Sequence, residues 1–323
     1  MASKKRTLWG FVLAYGIASL VMIFLSYRLP RLLPGDFITA MYSGSDVTLT
    51  AEQESSLRAF YSHHESFRHY LIRLASLDWG YSYAFLTPIS TLILETLPWT
   101  LLLMGSAHLV SMFFGFIAGV EAAWRRGKSL EKGAVGVMSI LEGVPEIATG
   151  IILLFIFALR LHWFPAAGAE TAYARMSSWE WIINVAHHLV LPLATLLLAY
   201  FPGNFLLTRG SMVMVLKAQF VETARAKGLP PIRVRYAHAA RNALLPLITR
   251  FGLRLAFLVT GVLVVETIYS YPGLGTLLFN AIGKRDLPLI QGIVLFSSLM
   301  VLLVNMTLEL TYRCIDPRVK YAH

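Results

Sequence analysis

Six apolar runs dominate the chain: residues 8–25, 97–122, 134–159, 187–215, 247–267 and 289–312. About 20 apolar residues in a row are enough to cross the hydrocarbon core of a bilayer as a helix. A helix also satisfies its own backbone hydrogen bonds where no water can. The rest of the composition agrees. Of 323 residues, 56% are hydrophobic and only 14% charged, with a mean hydropathy of +0.62, whereas soluble domains carry about a quarter charged residues. The expected fold is all-α: a polytopic membrane protein with six transmembrane helices.

The charges fix an expected orientation. The net charge is +10, but the bases cluster beside the apolar runs rather than on one nucleic-acid-reading face. Lys4, Lys5 and Arg6 precede the first run, Arg125, Arg126 and Lys128 follow the second, Arg209 lies near the end of the fourth, and Arg313 and Arg318 follow the sixth. Basic flanks stay on the cytoplasmic side, so both termini are expected inside. The first run has the look of a secretory signal, but it is long and no small-x-small cleavage site follows, so it reads as an uncleaved span. Residues 31–94 are the least hydrophobic part. Their acids (Asp36, Asp46, Glu52, Glu54, Glu65, Asp78) outnumber their bases (Arg31, Arg58, Arg68, Arg73), as an outside segment should. Residues 43–50 read as loop. Thr50, with Gln53 in the capping-box position, is expected to start a helix reaching about Tyr61. The chain therefore divides into 1–94, a first span with an outside segment, and 95–323, a core of five spans. A short helix over 88–96 is expected at the outer surface. Pro192, Pro202 and Gly203 are candidates to kink or break the fourth span. The single cysteine, Cys314, rules out an internal disulfide and a cysteine zinc cluster.

One polar stretch stands out, 219–246, in a loop at about 217–246. Arg225, Lys227, Arg233, Arg235 and Arg241 stand there against one acid, Glu222. Residues 220–227 are good helix formers without Gly or Pro. Gly228 supplies a stop, and Pro230 and Pro231 prevent simple continuation. A second helix is expected over 232–245. The local expectation is helix, turn, helix, facing the cytoplasm.

The order Glu222-Thr223-Ala224 followed by Gly228 resembles the EAA loop of ABC importer permeases. VETARAKGL and HAARNALLP resemble the oligopeptide/dipeptide/nickel branch, as do VVETIYSYPGLGTLLFNAI (264–282), RDLPLIQG (285–292) and VNMTLELTYRCIDPR (304–318). DWGYS at 78–82 is similar to that branch's DLGxS, with Trp79 for Leu, and WFPAAG at 163–168 to its LPxSG turn. The resemblance implies the type I ABC importer permease fold, with the loop acting as a coupling helix that seats in an ATPase subunit. Glu222, Thr223, Ala224 and Gly228 would then be the coupling residues. Ala224 would allow a close approach to the partner, Glu222 would offer it a carboxylate, and Gly228 would turn where a Cβ obstructs. The implied partners are a homologous second permease, two ATPase subunits and an extracytoplasmic solute-binding protein, besides membrane lipid. The implied site is the inner membrane, with no enzymatic chemistry in this chain and no cofactor bound by it, ATP and Mg belonging to the ATPases. The bland alternative is that the basic loop only fixes topology.

Glu142 and Glu146 flank Pro145 inside the third run. Four residues apart, they are expected to share a helix face, and acids at membrane depth face protein or an aqueous cavity. They are candidate translocation-path residues; on the other reading they lie at the interface or pair with Arg160 or a partner-chain arginine. A rival function, a stand-alone secondary transporter or channel, would relay protons through Glu142, Glu146 and Glu266. No metal site is expected. His63-His64 and His187-His188 read as surface and interfacial pairs, since adjacent helical residues point about 100° apart. Gly127-Lys128-Ser129 lacks the upstream glycine and strand of a phosphate loop. Whether peptide, nickel, a metallophore or an opine is carried is left open.

Overall fold

The computed structural model describes residues 2–32, 37–42, 50–61, 66–172, 174–256 and 262–315. The expectations for His63-His64, for 43–49 and for Arg318 lie outside those residues. All regular elements described are helices; the one β feature is an isolated bridge between Tyr81 and Pro88. Four helical stretches are long and apolar enough to cross a membrane: Leu13–Leu32, Ile89–Trp124, Ser178–Val215 and Leu287–Thr307. A fifth span exists if the bent pair Ser129–Glu142 and Glu146–Arg160 counts as one. Of the run expected at 247–267, the helices Leu245–Ala256 and Leu263–Ile268 are described.

Two expectations about helix ends are corrected. The short surface helix at 88–96 and the second span are one helix of 36 residues, Ile89–Trp124, with Pro98 inside it. The fourth span begins at Ser178, earlier than expected, and runs unbroken for 38 residues past Pro192 and Pro202. Its start is fixed by a capping box, in which Ser177 and Glu180 satisfy each other's backbone N–H groups. Membrane helices tolerate interior proline because the surroundings take up the freed backbone groups. The capping box at Thr50 is present: Gln53 Oε1 accepts from the Thr50 N–H at 3.0 Å and Thr50 Oγ1 from the Gln53 N–H at 3.3 Å, opening Ala51–Tyr61.

The chain forms two compact units. The first comprises 1–98 with 273–323. In it two of the sequence blocks, distant in the chain, are bound together. Asp286 is fully buried, and its carboxylate accepts from Ser82 Oγ at 2.5 Å, from the Ala84 N–H at 2.9 Å and from the Leu289 N–H at 3.2 Å. It thereby caps the helix Leu287–Ile315 and fastens the 78–82 turn to it. Asp286→Ala would strand a buried hydroxyl and two backbone donors, each costing about 1–3 kcal/mol. We expect a clear loss of thermal stability in detergent, with Asp286→Asn intermediate.

The second unit comprises 99–272. Here Ile89–Trp124 and Ser178–Val215 approach closely because Gly115 and Gly119, one turn apart, present no side chain. A Cβ at Gly119 would lie 2.7 Å from Thr208 Cβ and 2.8 Å from the Phe205 carbonyl oxygen; one at Gly115 would lie 2.8 Å from Asn204 Cβ. Small residues spaced by four let membrane helices meet backbone to backbone. Gly119→Ala should cost about 1–3 kcal/mol by overpacking, read as a fall in thermal midpoint. Gly105→Ala, where a Cβ meets nothing within 4 Å, is the matched control and should change little.

The part of the 264–282 block up to Pro272 serves as internal glue in this unit. Glu266, fully buried, accepts from Thr100 Oγ1 at 2.6 Å. The Tyr269 hydroxyl donates to the Gly150 carbonyl at 3.1 Å and bonds Thr195 Oγ1 at 2.9 Å, while the Tyr269 carbonyl accepts from the Gly168 N–H at 2.9 Å. Tyr271 packs edge-on to Trp99.

Candidate functional site

The helix Gln219–Ala226 lies across the basic end of the second unit. Its inward residues are Val221 and Ala224, 0% and 5% exposed. They pack with Val120 and Ala123 from the end of one long helix, Met212 from the end of the other, and Ala239, Ala240 and Ala243 from the returning segment. Ala224 is therefore small for the benefit of its own chain, not to admit a partner as expected from sequence. Glu222, Thr223 and Arg225 face outward. Among the described residues Glu222 takes part in no ion pair.

The helix ends in a Schellman turn. The Gly228 N–H donates to the Arg225 carbonyl at 2.9 Å and the Leu229 N–H reaches the Ala224 carbonyl at 3.4 Å. Gly228 has φ +71°, and a Cβ there would meet nothing within 4 Å. The reason for glycine is thus backbone handedness rather than obstruction. Pro230 caps the next turn and Pro231 opens it. The return path, Pro231–Arg233, Val234–Ala240 and Arg241–Ala243, carries a π-helical turn in its middle and continues after Leu244 into Leu245–Ala256.

Charged and aromatic groups hold this segment to the spans. Arg225 lies over the Trp124 ring at 5.3 Å and Arg235 at 4.9 Å. Arg235 also pairs with Glu121, whose carboxylate accepts from the Tyr236 hydroxyl at 2.8 Å. Nearby, Glu131 is 4% exposed and paired with Arg209, and its second oxygen accepts from the Gly127 N–H at 3.2 Å. Gly127, at φ +89°, is a turn glycine. The 219–246 segment thus has a buried apolar inner side and a charged outer side.

The third run does not continue through Pro145. One helix ends at Glu142, the next begins at Glu146, and the two are bent by 94°. Glu142 and Glu146 therefore do not share a helix face, because Gly143, Val144 and Pro145 break the helix between them. Nor is Arg160 their partner: its guanidinium lies over Phe155. The cations that meet them are Arg250 and Arg254, one turn apart on Leu245–Ala256. Arg250 Nη2 is 3.8 Å from Glu142 Oε1, and its Nη1 donates to the Gly203 carbonyl at 2.8 Å. Arg254 lies within electrostatic range of Glu142 and Glu146 and sits over the Tyr200 ring at 4.5 Å. His108 stacks on Tyr200 at 4.6 Å. Sequence reasoning missed both arginines, although two arginines four apart inside an apolar run were the available signal. No group of metal-ligating side chains occurs among the described residues.

The described elements are helices, and at least four are long and apolar enough to cross a membrane, so the chain is an integral membrane protein. Residues 111–321 match the family of binding-protein-dependent transport system inner membrane components, and the chain belongs to that family. It is 33% identical over 321 residues to the oligopeptide transport system permease protein AppB of Bacillus subtilis (strain 168), covering 98% of each chain. It is 33% identical over 316 residues to the di/tripeptide transport system permease protein DppB of Pseudomonas aeruginosa (strain UCBPP-PA14), covering 92% of this chain and 93% of that one. The glutathione transport system permease protein GsiC of Salmonella typhi is 33% identical over 307 residues, covering 94% of each. The chain is a permease subunit of an ABC importer, and the stand-alone transporter or channel reading is set aside.

Proposed function

We propose that this chain forms half of the translocation path of an ATP-driven importer of short peptides in the inner membrane. It works with a homologous second permease, two ATPase subunits that hold ATP and Mg, and an extracytoplasmic solute-binding protein. The peptide assignment rests on the transport functions of the relatives. The coupling assignment rests on one observation: Gln219–Ala226 is seated on its own chain by Val221 and Ala224 while Glu222 and Thr223 face out, unclaimed by an ion pair. Closure of the ATPase dimer moves this seat, and the seat is continuous with the ends of both long helices. ATP thereby biases a two-state equilibrium between inward and outward openings. Hydrolysis itself occurs on the separate ATPase chain. On this reading the chain crosses the membrane six times, with both termini and the 217–246 loop on the cytoplasmic side.

Reconstitution of the complete complex in proteoliposomes tests this reading. Peptide uptake should require ATP and the loaded binding protein. Uptake driven by a proton gradient without ATP would refute it. For orientation, in a Cys314→Ser background, Glu170→Cys should react with an impermeant thiol reagent from outside. Lys128→Cys and Pro230→Cys should not, and labelling at 230 in sealed right-side-out vesicles would reverse the topology.

A further inference from the structure

The charged groups of this chain fall into two kinds. Some have their carboxylates claimed from within: Glu131 is paired with Arg209 and also bound by the Gly127 N–H, Glu121 holds Arg235 and Tyr236, although Arg235 Nε is left unpartnered, and Asp286 accepts three hydrogen bonds. The set at the break in the third run is open. Glu142 and Arg250 are 3.8 Å apart, too long for a hydrogen bond, and Glu146 has no cation within ion-pair distance among the described residues. Arg254 Nη1 is buried without a hydrogen-bond partner, and so is Nε2 of His108, itself only 2% exposed. Buried polar atoms are nearly always satisfied, so orphaned ones call for an explanation. The Glu142 and Arg250 side chains keep 44% and 28% of their surface. Charged surface at membrane depth faces protein or an aqueous path rather than lipid. Two carboxylates and two guanidiniums make the set formally neutral. What remains is a field with a negative and a positive pole, joined by one long Glu142–Arg250 contact, with Glu146 and Arg254 Nη1 unclaimed from within among the described residues.

We propose that Glu142 and Glu146 on one side and Arg250 and Arg254 on the other form a transit site for a dipolar solute, a short peptide with free termini. The carboxylates receive its ammonium, and the guanidiniums, with His108 behind them, receive its carboxylate. Both termini exchange one set of hydrogen-bonding partners for another, so passage needs no bare charge in a low-dielectric path. The proposal rests on the peptide-import reading.

The test uses the whole complex in proteoliposomes, with trialanine and a mixture of tripeptides with uncharged side chains as probes. Uptake and ATP hydrolysis stimulated by the loaded binding protein are both measured. Glu146→Gln and Arg254→Gln should each lower peptide uptake per ATP hydrolysed at least about tenfold, the loss of a charged hydrogen-bonding partner, while stimulated hydrolysis and assembly persist. The exchange Glu146→Arg with Arg254→Glu separates a site from a brace. A brace needs only mutual attraction and regains uptake, whereas in a site each pole now carries one charge of each sign and no longer matches a peptide terminus, and uptake stays impaired. Recovery in the exchange variant, disassembly of either single variant, or unchanged uptake in both would overturn the transit site alone. Failure of the wild-type complex to import any tripeptide, while another loaded solute drives hydrolysis, would overturn the peptide reading and the site with it.

Discussion

Gly228→Val should leave the complex in the membrane yet reduce binding-protein-stimulated ATP hydrolysis to its basal level. The position holds φ +71° at the end of the Gln219–Ala226 helix. A β-branched residue is strained there by about 1–2 kcal/mol or more, although the space around it is open. The chain relieves that strain by unwinding the Schellman turn, which releases the Leu229 N–H from the Ala224 carbonyl and tilts the helix proposed to meet the ATPase. Gly228→Asn should retain much of the activity, because asparagine tolerates the left-handed region. Glu222→Lys tests the outer face separately. Glu222 is exposed and joins no ion pair among the described residues, so its replacement should change stability by no more than about 0.5 kcal/mol. Loss of stimulated hydrolysis at an unchanged thermal midpoint then reports a broken contact with a partner. Normal stimulated hydrolysis in both variants would remove the coupling role from this helix.

The parts of this structure readable in the sequence are those governed by local rules. Apolar runs announced the spans, Thr50 and Gln53 a capping box, and Gly228 with Pro230 and Pro231 the helix stop. The errors come from applying soluble-helix rules at membrane depth, and in both directions. Pro98, Pro192 and Pro202 sit inside continuous helices, since neighbouring groups in a membrane bundle take up the freed carbonyls. Pro145 does end a helix, because Gly143 precedes it by two residues and together they remove both side-chain support and a backbone donor. The proposed coupling residues were legible by type, but the face each presents was not. Ala224 points inward because the core formed by Val120, Met212 and Ala239 needs a small residue there, which no local pattern announces. Arg250 and Arg254 were hidden by the apolar average of their run, and the spacing of Gly115 and Gly119 went unread although a four-residue repeat of glycine in an apolar helix is a packing signal.

Glu131→Ala should be the most destabilising single change on the basic side of the second unit. Glu131 lies in the first turn of Ser129–Glu142, where a negative charge also suits the helix dipole. Removing it leaves Arg209 facing a void in a largely buried setting, and breaking a buried pair from one side costs about 3–5 kcal/mol. Arg209 keeps 28% of its side-chain surface, so water recovers part of that and the lower end applies. The functional loss should exceed the stability loss. Arg209 precedes Met212 by one turn on Ser178–Val215, and Met212 packs in the same core as Val221 and Ala224. The Glu131–Arg209 pair therefore ties the seat of the Gln219–Ala226 helix to the arm that ends at Glu142. Glu131→Met combined with Arg209→Leu removes both charges, and apolar replacement of a buried pair is often neutral or better. The double variant should regain thermal stability. If the pair only stabilises, transport returns with it. If the pair also transmits motion from the seat to the break, stimulated hydrolysis returns but uptake per ATP stays low, because an apolar contact can slide where a bonded ion pair cannot.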